Sequence, residues 1–139
     1  LVAEMAQTYA AEGRTLRDAM AALYARYGHM ENRLLNFDIT GAVPMEEMRR
    51  VMASLREEPI EDLAGARGRT TKDYCVGMEG LPKSDVLSFA TGTGLKAIVR
   101  PSGTEPKVKV YLSARADDPI SAQALLDAMA EEVNERILG

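Results

Sequence analysis

The sequence predicts an α+β fold, an antiparallel sheet with helices packed on one face, preceded by an N-terminal αα-hairpin. Three observations carry this. Residues 33–40 alternate apolar and polar, and so do the segments on both sides of Arg100. Gly92-Thr93-Gly94 joins two such segments, the mark of a strand hairpin. Two apolar stripes at helical spacing, one after Pro44 and one after Pro119, offer faces that a sheet can bury.

Taken in order, Leu1, Val2, Met5, Ala6 and Tyr9 already fall at helical spacing with no capping residue before them. The chain thus reads as starting inside a helix, as a piece of a longer protein. Gly13 ends this helix, and Thr15 with Asp18 forms a capping box for the next, whose stripe is Leu16, Met20, Leu23 and Tyr27. Gly28 supplies a left-handed stop. Residues 28–32 read as a linker, and His29 as a loop histidine, since no Cys, Asp or second His stands near it at ligand spacing.

Leu35, Phe37 and Ile39 give the strand at 33–40 its buried face. After Gly41, Pro44 with Glu46 and Glu47 starts a helix whose inward stripe is Met48, Val51, Met52 and Leu55, and Pro59 bars its continuation. Residues 60–68 read as an irregular connection. Residues 69–76 read as a strand, with Asp73 offsetting Arg69 and Lys72 on a solvated face. Residues 85–91 and 95–100 flank the glycine turn. Its GxG is no nucleotide fingerprint, because it opens no helix. Val108, Val110 and Leu112 mark the last strand. A final helix starts at Asp118-Pro119, buries Leu125, Met129, Val133 and Ile137, and turns Asp127, Glu131, Glu132 and Glu135 to solvent.

The functional signal lies in Arg100-Pro101-Ser102-Gly103-Thr104-Glu105-Pro106-Lys107, between the last two strands. Two prolines cannot donate to a ladder, and Gly103 tolerates positive φ, so the loop stands clear of sheet pairing. It offers a guanidinium, two hydroxyls and a glycine N–H, all donors suited to phosphate or carboxylate. Lys109 lies on the opposite strand face from Val108 and Val110, together with Tyr111. Residues 96–109 hold Lys96, Arg100, Lys107 and Lys109 against Glu105 alone, in a chain of net charge −4. An anion site and an ordinary solvated turn fit these residue types equally well.

Composition narrows the classes. The acidic balance and the absence of Trp argue against nonspecific nucleic-acid or anionic-membrane binding. No apolar run approaches the ~20 residues that span a bilayer. The lone Cys75 excludes an internal disulfide and fits a reducing cytoplasm.

The string RPSGTEPKVKVY (residues 100–111) resembles the phosphate-binding loop of the α-D-phosphohexomutases, the phosphoglucomutase/phosphomannomutase family, and Gly80-Leu81-Pro82-Lys83-Ser84-Asp85 resembles its bacterial phosphoglucomutase-like branch. The resemblance covers essentially the whole chain. It implies that residues 1–28 are a helical hairpin from the end of a preceding domain. Residues 29–139 would be the family's C-terminal, TBP-like, phosphate-binding domain. It implies contacts to a hexose phosphate (glucose or mannose 1- or 6-phosphate) through Arg100, Ser102, Gly103, Thr104 and Lys109. The family's phosphoserine and its Mg2+ ligands have no counterpart here. The resemblance therefore implies no catalytic residue and no metal ligand in this chain, with Mg2+ held elsewhere in an intact isomerase and this piece inactive alone. The alternative is a non-enzymatic interaction module whose loop is only a turn.

Overall fold

The computed structural model describes residues 1–78 and 80–139. Its sheet is built around β5 (Lys107–Ala116), a strand whose alternate residues Val108, Val110, Leu112 and Ala114 are each at most 1% exposed. A strand this apolar on one face fixes its neighbours' register, because a slip by one residue would turn that face to water. On one side β1 (His29–Asp38) pairs antiparallel, from His29 opposite Ala116 to Asp38 opposite Lys107. On the other side follow β4 (Lys96–Pro101), β3 (Leu87–Thr91) and β2 (Arg69–Asp73). The order is β1-β5-β4-β3-β2, antiparallel throughout.

Two helices supply the other half of the core. Pro44 opens α3 (Pro44–Glu57), where Met48, Met52 and Leu55 are buried, with Val51 half-buried against them. Asp118 caps α4 (Pro119–Leu138) by accepting the Ser121 N–H at 2.9 Å. Both stripes enter one cluster with Phe37, Leu87, Phe89, Ala97, Val99 and the β5 residues. The fold is the α+β arrangement read from the sequence.

Several boundaries differ from the sequence reading. Residues 28–32 are no linker, since β1 begins at His29, immediately after Gly28. The full length of β5 is available for pairing there, and a backbone that pairs is not left as loop. His29 is accordingly a strand residue, its ring 4.2 Å from that of Tyr24 and its Nε2 2.8 Å from Glu31 Oε1. The same strand stops at Asp38, before Thr40. β2 stops at Asp73, whose carboxylate accepts the Cys75 N–H and turns Tyr74–Val76 into a 3-10 helix. β3 starts at Leu87 rather than Asp85. In α4 the buried line is Ala122, Leu126, Met129, Val133 and Ile137, with Leu125 at its margin. Two of its outer acids are structural: Asp127 accepts from Arg33 at 2.6 Å and Glu132 from the Ala64 N–H at 2.8 Å.

The hairpin, α1 (Val2–Ala11) and α2 (Leu16–Tyr27), forms with the Thr15–Asp18 capping box intact. No residue of either helix is buried, and none belongs to the core cluster. Leu1, Val2, Met5, Met20, Leu23 and Tyr27 are exposed. Gly28 joins the hairpin to β1 at φ +85°, where a Cβ would lie 3.2 Å from the Ala116 carbonyl oxygen. Its positive φ matches the expected stop, but its ψ of 164° is extended, which launches the strand. Deleting residues 1–28 is therefore expected to leave a cooperative melt with a small loss of melting temperature. Disappearance of the thermal transition would show that the hairpin belongs to the core.

Candidate phosphate-binding site

The loop joins β4 to β5, and the candidate strand residues lie on the face of these strands away from the core. Alternation along β5 puts Lys107, Lys109, Tyr111 and Ser113 on this face. Register then builds rows across the strands. Nearest the loop, Lys107 stands beside Asp38. The next row is Arg100, Lys109 and Asn36, and the one after is Ile98, Tyr111 and Leu34.

The two cations of the middle row differ from their neighbour. Lys107 is committed, with Glu105 at 3.1 Å and Asp38 at 3.7 Å, and the bond to Glu105 followed by the pull of Asp38 raises its pKa. Arg100 and Lys109 face each other directly across β4 and β5. Neither has a hydrogen-bond or ion-pair partner among the described residues. Directly opposed like charges disfavour a sheet unless something of opposite sign lies over them.

Beyond Arg100 the chain leaves the ladder at Pro101. The Ser102 N–H donates to the Lys107 carbonyl at 2.8 Å, and the Lys107 N–H to the Glu105 carbonyl at 2.8 Å, closing a tight loop. Ser102 Oγ accepts long bonds from the Glu105 N–H at 3.3 Å and the Thr104 N–H at 3.5 Å. Its own proton remains to be donated. The Thr104 hydroxyl and the Gly103 N–H have no partner among the described residues, and both residues are exposed. Gly103 does not use the positive φ expected of it; a Cβ there would meet open space. Its distinguishing property is the lack of a side chain over the loop.

The structure thus brings Arg100 and Lys109 side by side and puts Ser102, Gly103 and Thr104 in the loop that follows Arg100. Sequence reasoning missed Asn36, which the β1–β5 register sets against Lys109. Alternation along β1 already assigned Asn36 a polar face, but nothing local names its partner. It also missed Arg56, which donates to Asp73 at 2.9 Å, to Asp85, and to Cys75 Sγ at 3.0 Å. Asp73 is therefore taken up by α3 and does not offset Arg69, whose Nε donates to Thr71 instead. Burial opposes charge on Arg56, but its bonds to Asp73 and Asp85 outweigh that and raise its pKa. Burial, together with Asp85 and Asp73, pushes the Cys75 thiol up against the opposing pull of Arg56.

A cavity of about 640 Å³ opens elsewhere, where the end of α3 meets α4. Its walls carry Glu57, Glu58, Glu61, Asp62, Glu132 and Glu135 against Arg136. That charge repels a phosphate, so its size does not make it a rival. Among the described residues no group of three or more His, Cys, Asp or Glu converges on a metal position. No described helix is long and apolar enough to cross a membrane.

Comparison with known proteins identifies the family. The family model described as phosphoglucomutase/phosphomannomutase, C-terminal domain, matches residues 34–133. The chain belongs to this family. A phosphoglucomutase of Staphylococcus aureus (strain bovine RF122 / ET3-1) is 27% identical over 136 residues, covering 90% of this chain and 23% of the relative. A probable phosphomannomutase of Haemophilus influenzae is 31% identical over 122 residues, 88% of this chain and 24% of the relative. The solved open form of parafusin, a phosphoglucomutase from Paramecium, superposes with a TM-score of 0.59 at 16% identity. That match covers 88% of this chain and 22% of the other, and it shows the shared fold. The chain spans about a quarter of the length of the curated relatives it matches.

Proposed function

We infer that this chain is the phosphate-holding C-terminal part of a phosphoglucomutase or phosphomannomutase. It grips the phosphate of a hexose phosphate that is not being transferred while the other phosphate moves. The observation that carries this is the opposed pair Arg100–Lys109, without partners among the described residues, next to a loop with two hydroxyl donors and a bare glycine N–H. Arg100 supplies a forked pair of bonds, Lys109 a point charge, and Ser102, Thr104 and the Gly103 amide the remaining donors. Binding energy at a distance from the reacting bond contributes to rate by orienting the substrate.

In this reading the isomerase activity belongs to a protein that joins this domain to the family's other parts, in the cytoplasm where hexose phosphates are metabolised. Mg2+ and the phosphoserine are held there, and no step involves a metal ligand from this chain. Residues 1–28 close the preceding domain. The test is a titration of the 15N-labelled chain with inorganic phosphate. Saturable shifts of the Gly103 and Thr104 amides are expected. A spectrum unmoved by phosphate, or moved equally by chloride at matched ionic strength, would favour the interaction-module reading instead.

A further inference from the structure

The row beyond the cations has a different character. Tyr111 stands between Ile98 and Leu34 on the open face, with Tyr111 40% and Leu34 46% exposed. The row beyond that shows how this sheet finishes a polar surface. There Ser113 donates to Asn32 at 2.6 Å, and Lys96 faces solvent. An aromatic ring flanked by two aliphatic side chains, in contrast, leaves an apolar strip beside an unpaired cation pair. The Tyr111 hydroxyl and the Asn36 amide have no partner among the described residues, so the strip is edged by polar groups with bonds to spare there.

The geometry points to this strip as the floor for the sugar ring of the hexose phosphate, with Tyr111 beneath the ring and Asn36 at its edge. This rests on the phosphate-grip reading and extends it from the phosphate to the sugar. Three features select a pyranose ring as the occupant. Lys109 and Tyr111 are two residues apart on one strand face, a separation of about 6.8 Å, comparable with the offset between an ester phosphate and the sugar that carries it. The charge next to the strip is positive on two opposed residues, which suits an occupant with an anion at one end. A sugar ring also presents C–H groups on its faces and hydroxyls around its rim, which matches an apolar floor with amide and phenol groups at the margin. Asn36 is both donor and acceptor, as a sugar hydroxyl requires. Neither residue is a catalytic residue; each acts on specificity.

The experiment compares inorganic phosphate with glucose 6-phosphate on the 15N-labelled chain at fixed pH and ionic strength. Inorganic phosphate is expected to shift amides at Gly103 and Thr104, and glucose 6-phosphate to shift those of Leu34, Ile98 and Tyr111 as well. Tyr111→Ala is expected to weaken glucose 6-phosphate about five- to tenfold and leave inorganic phosphate within about twofold. Asn36→Ala should weaken the sugar phosphate about threefold by the same comparison, and Tyr111→Phe should keep most of the affinity. Thermal melts identify a variant that fails through folding, in which case Asn36→Ala, at an exposed position, decides. If Tyr111→Ala and Asn36→Ala weaken both ligands equally, or weaken neither, the floor is not there. Arg100→Ala separates the two ideas, because it should weaken both ligands. No effect of Arg100→Ala on either would overturn the grip, whereas loss of both ligands with a neutral Tyr111→Ala would overturn the floor alone.

Discussion

If Arg100 grips phosphate as proposed, replacing it by alanine in a phosphoglucomutase or phosphomannomutase that contains this domain is expected to lower kcat/KM by about a hundredfold or more. The reasoning starts from position. Arg100 is an exposed residue near the end of β4, its backbone fixed opposite Lys109 and its side chain outside the core. A forked guanidinium meets two phosphate oxygens at once, and hydrogen bonds to charged groups are worth about 1.5–3 kcal/mol each. Losing the pair thus accounts for a factor of that size. If the contact orients the transition state as well as the bound substrate, kcat falls together with the specificity constant. Arg100→Lys should recover only part of the loss, since an ammonium keeps the charge and not the fork.

Folding gives an independent readout of the same variant. The substitution removes one of two opposed cations, so the melting temperature of Arg100→Ala should be unchanged or slightly raised in phosphate-free buffer. Phosphate should raise the melting temperature of the parent protein more than that of the variant, because a ligand that binds only the folded state stabilises it. Steady-state kinetics and melts with and without phosphate check both halves. A well-folded Arg100→Ala enzyme with unchanged kcat/KM would mean that the loop is not the grip.

What the sequence disclosed follows the range of the forces involved. Strand and helix types were legible because burial leaves a period: Val108, Val110 and Leu112 are spaced by two, and Met48, Met52 and Leu55 by three and four. Ends were less legible. How far β1 extends toward His29 is set by the length of β5, a partner distant in the chain. The loop donors could be named from residue type alone, since prolines and a glycine already exclude Ser102, Gly103 and Thr104 from the ladder. Their surroundings could not. That Arg100, Lys109 and Asn36 share a row depends on two separate strand registers, and no local pattern encodes either. The same holds for Arg56, whose partners come from β2 and the segment before β3.

That cluster carries the largest expected effect on stability. Arg56 lies on α3, its side chain 28% exposed, and ties this helix to Asp73 at 2.9 Å, to Asp85 and to Cys75 Sγ. Exposed ion pairs contribute little and buried ones cost much when broken, so a half-buried hub of this kind is expected to be worth about 1–3 kcal/mol. Arg56→Ala should therefore lower the melting temperature by roughly 3–10 °C at neutral pH. The pH dependence identifies the cause. Burial would raise the Asp73 carboxyl, but the bond from Arg56 and the Cys75 N–H outweigh it and hold it below its ordinary value of 3.8. The unfolded chain thus takes up this proton at a higher pH than the folded one. Asp73 contributes its stabilisation fully above the unfolded value, and the contribution is lost as pH falls through the lower, folded one. Without Arg56 the depression shrinks, so the gap in melting temperature between parent and variant should be widest near pH 7 and narrow below about pH 4. Arg56→Lys should restore part of the gap, as a single ammonium cannot reach all three partners. A gap equally wide at pH 3 and pH 7 would mean that the arginine stem, packed against its neighbours, stabilises the domain and that the charge does not.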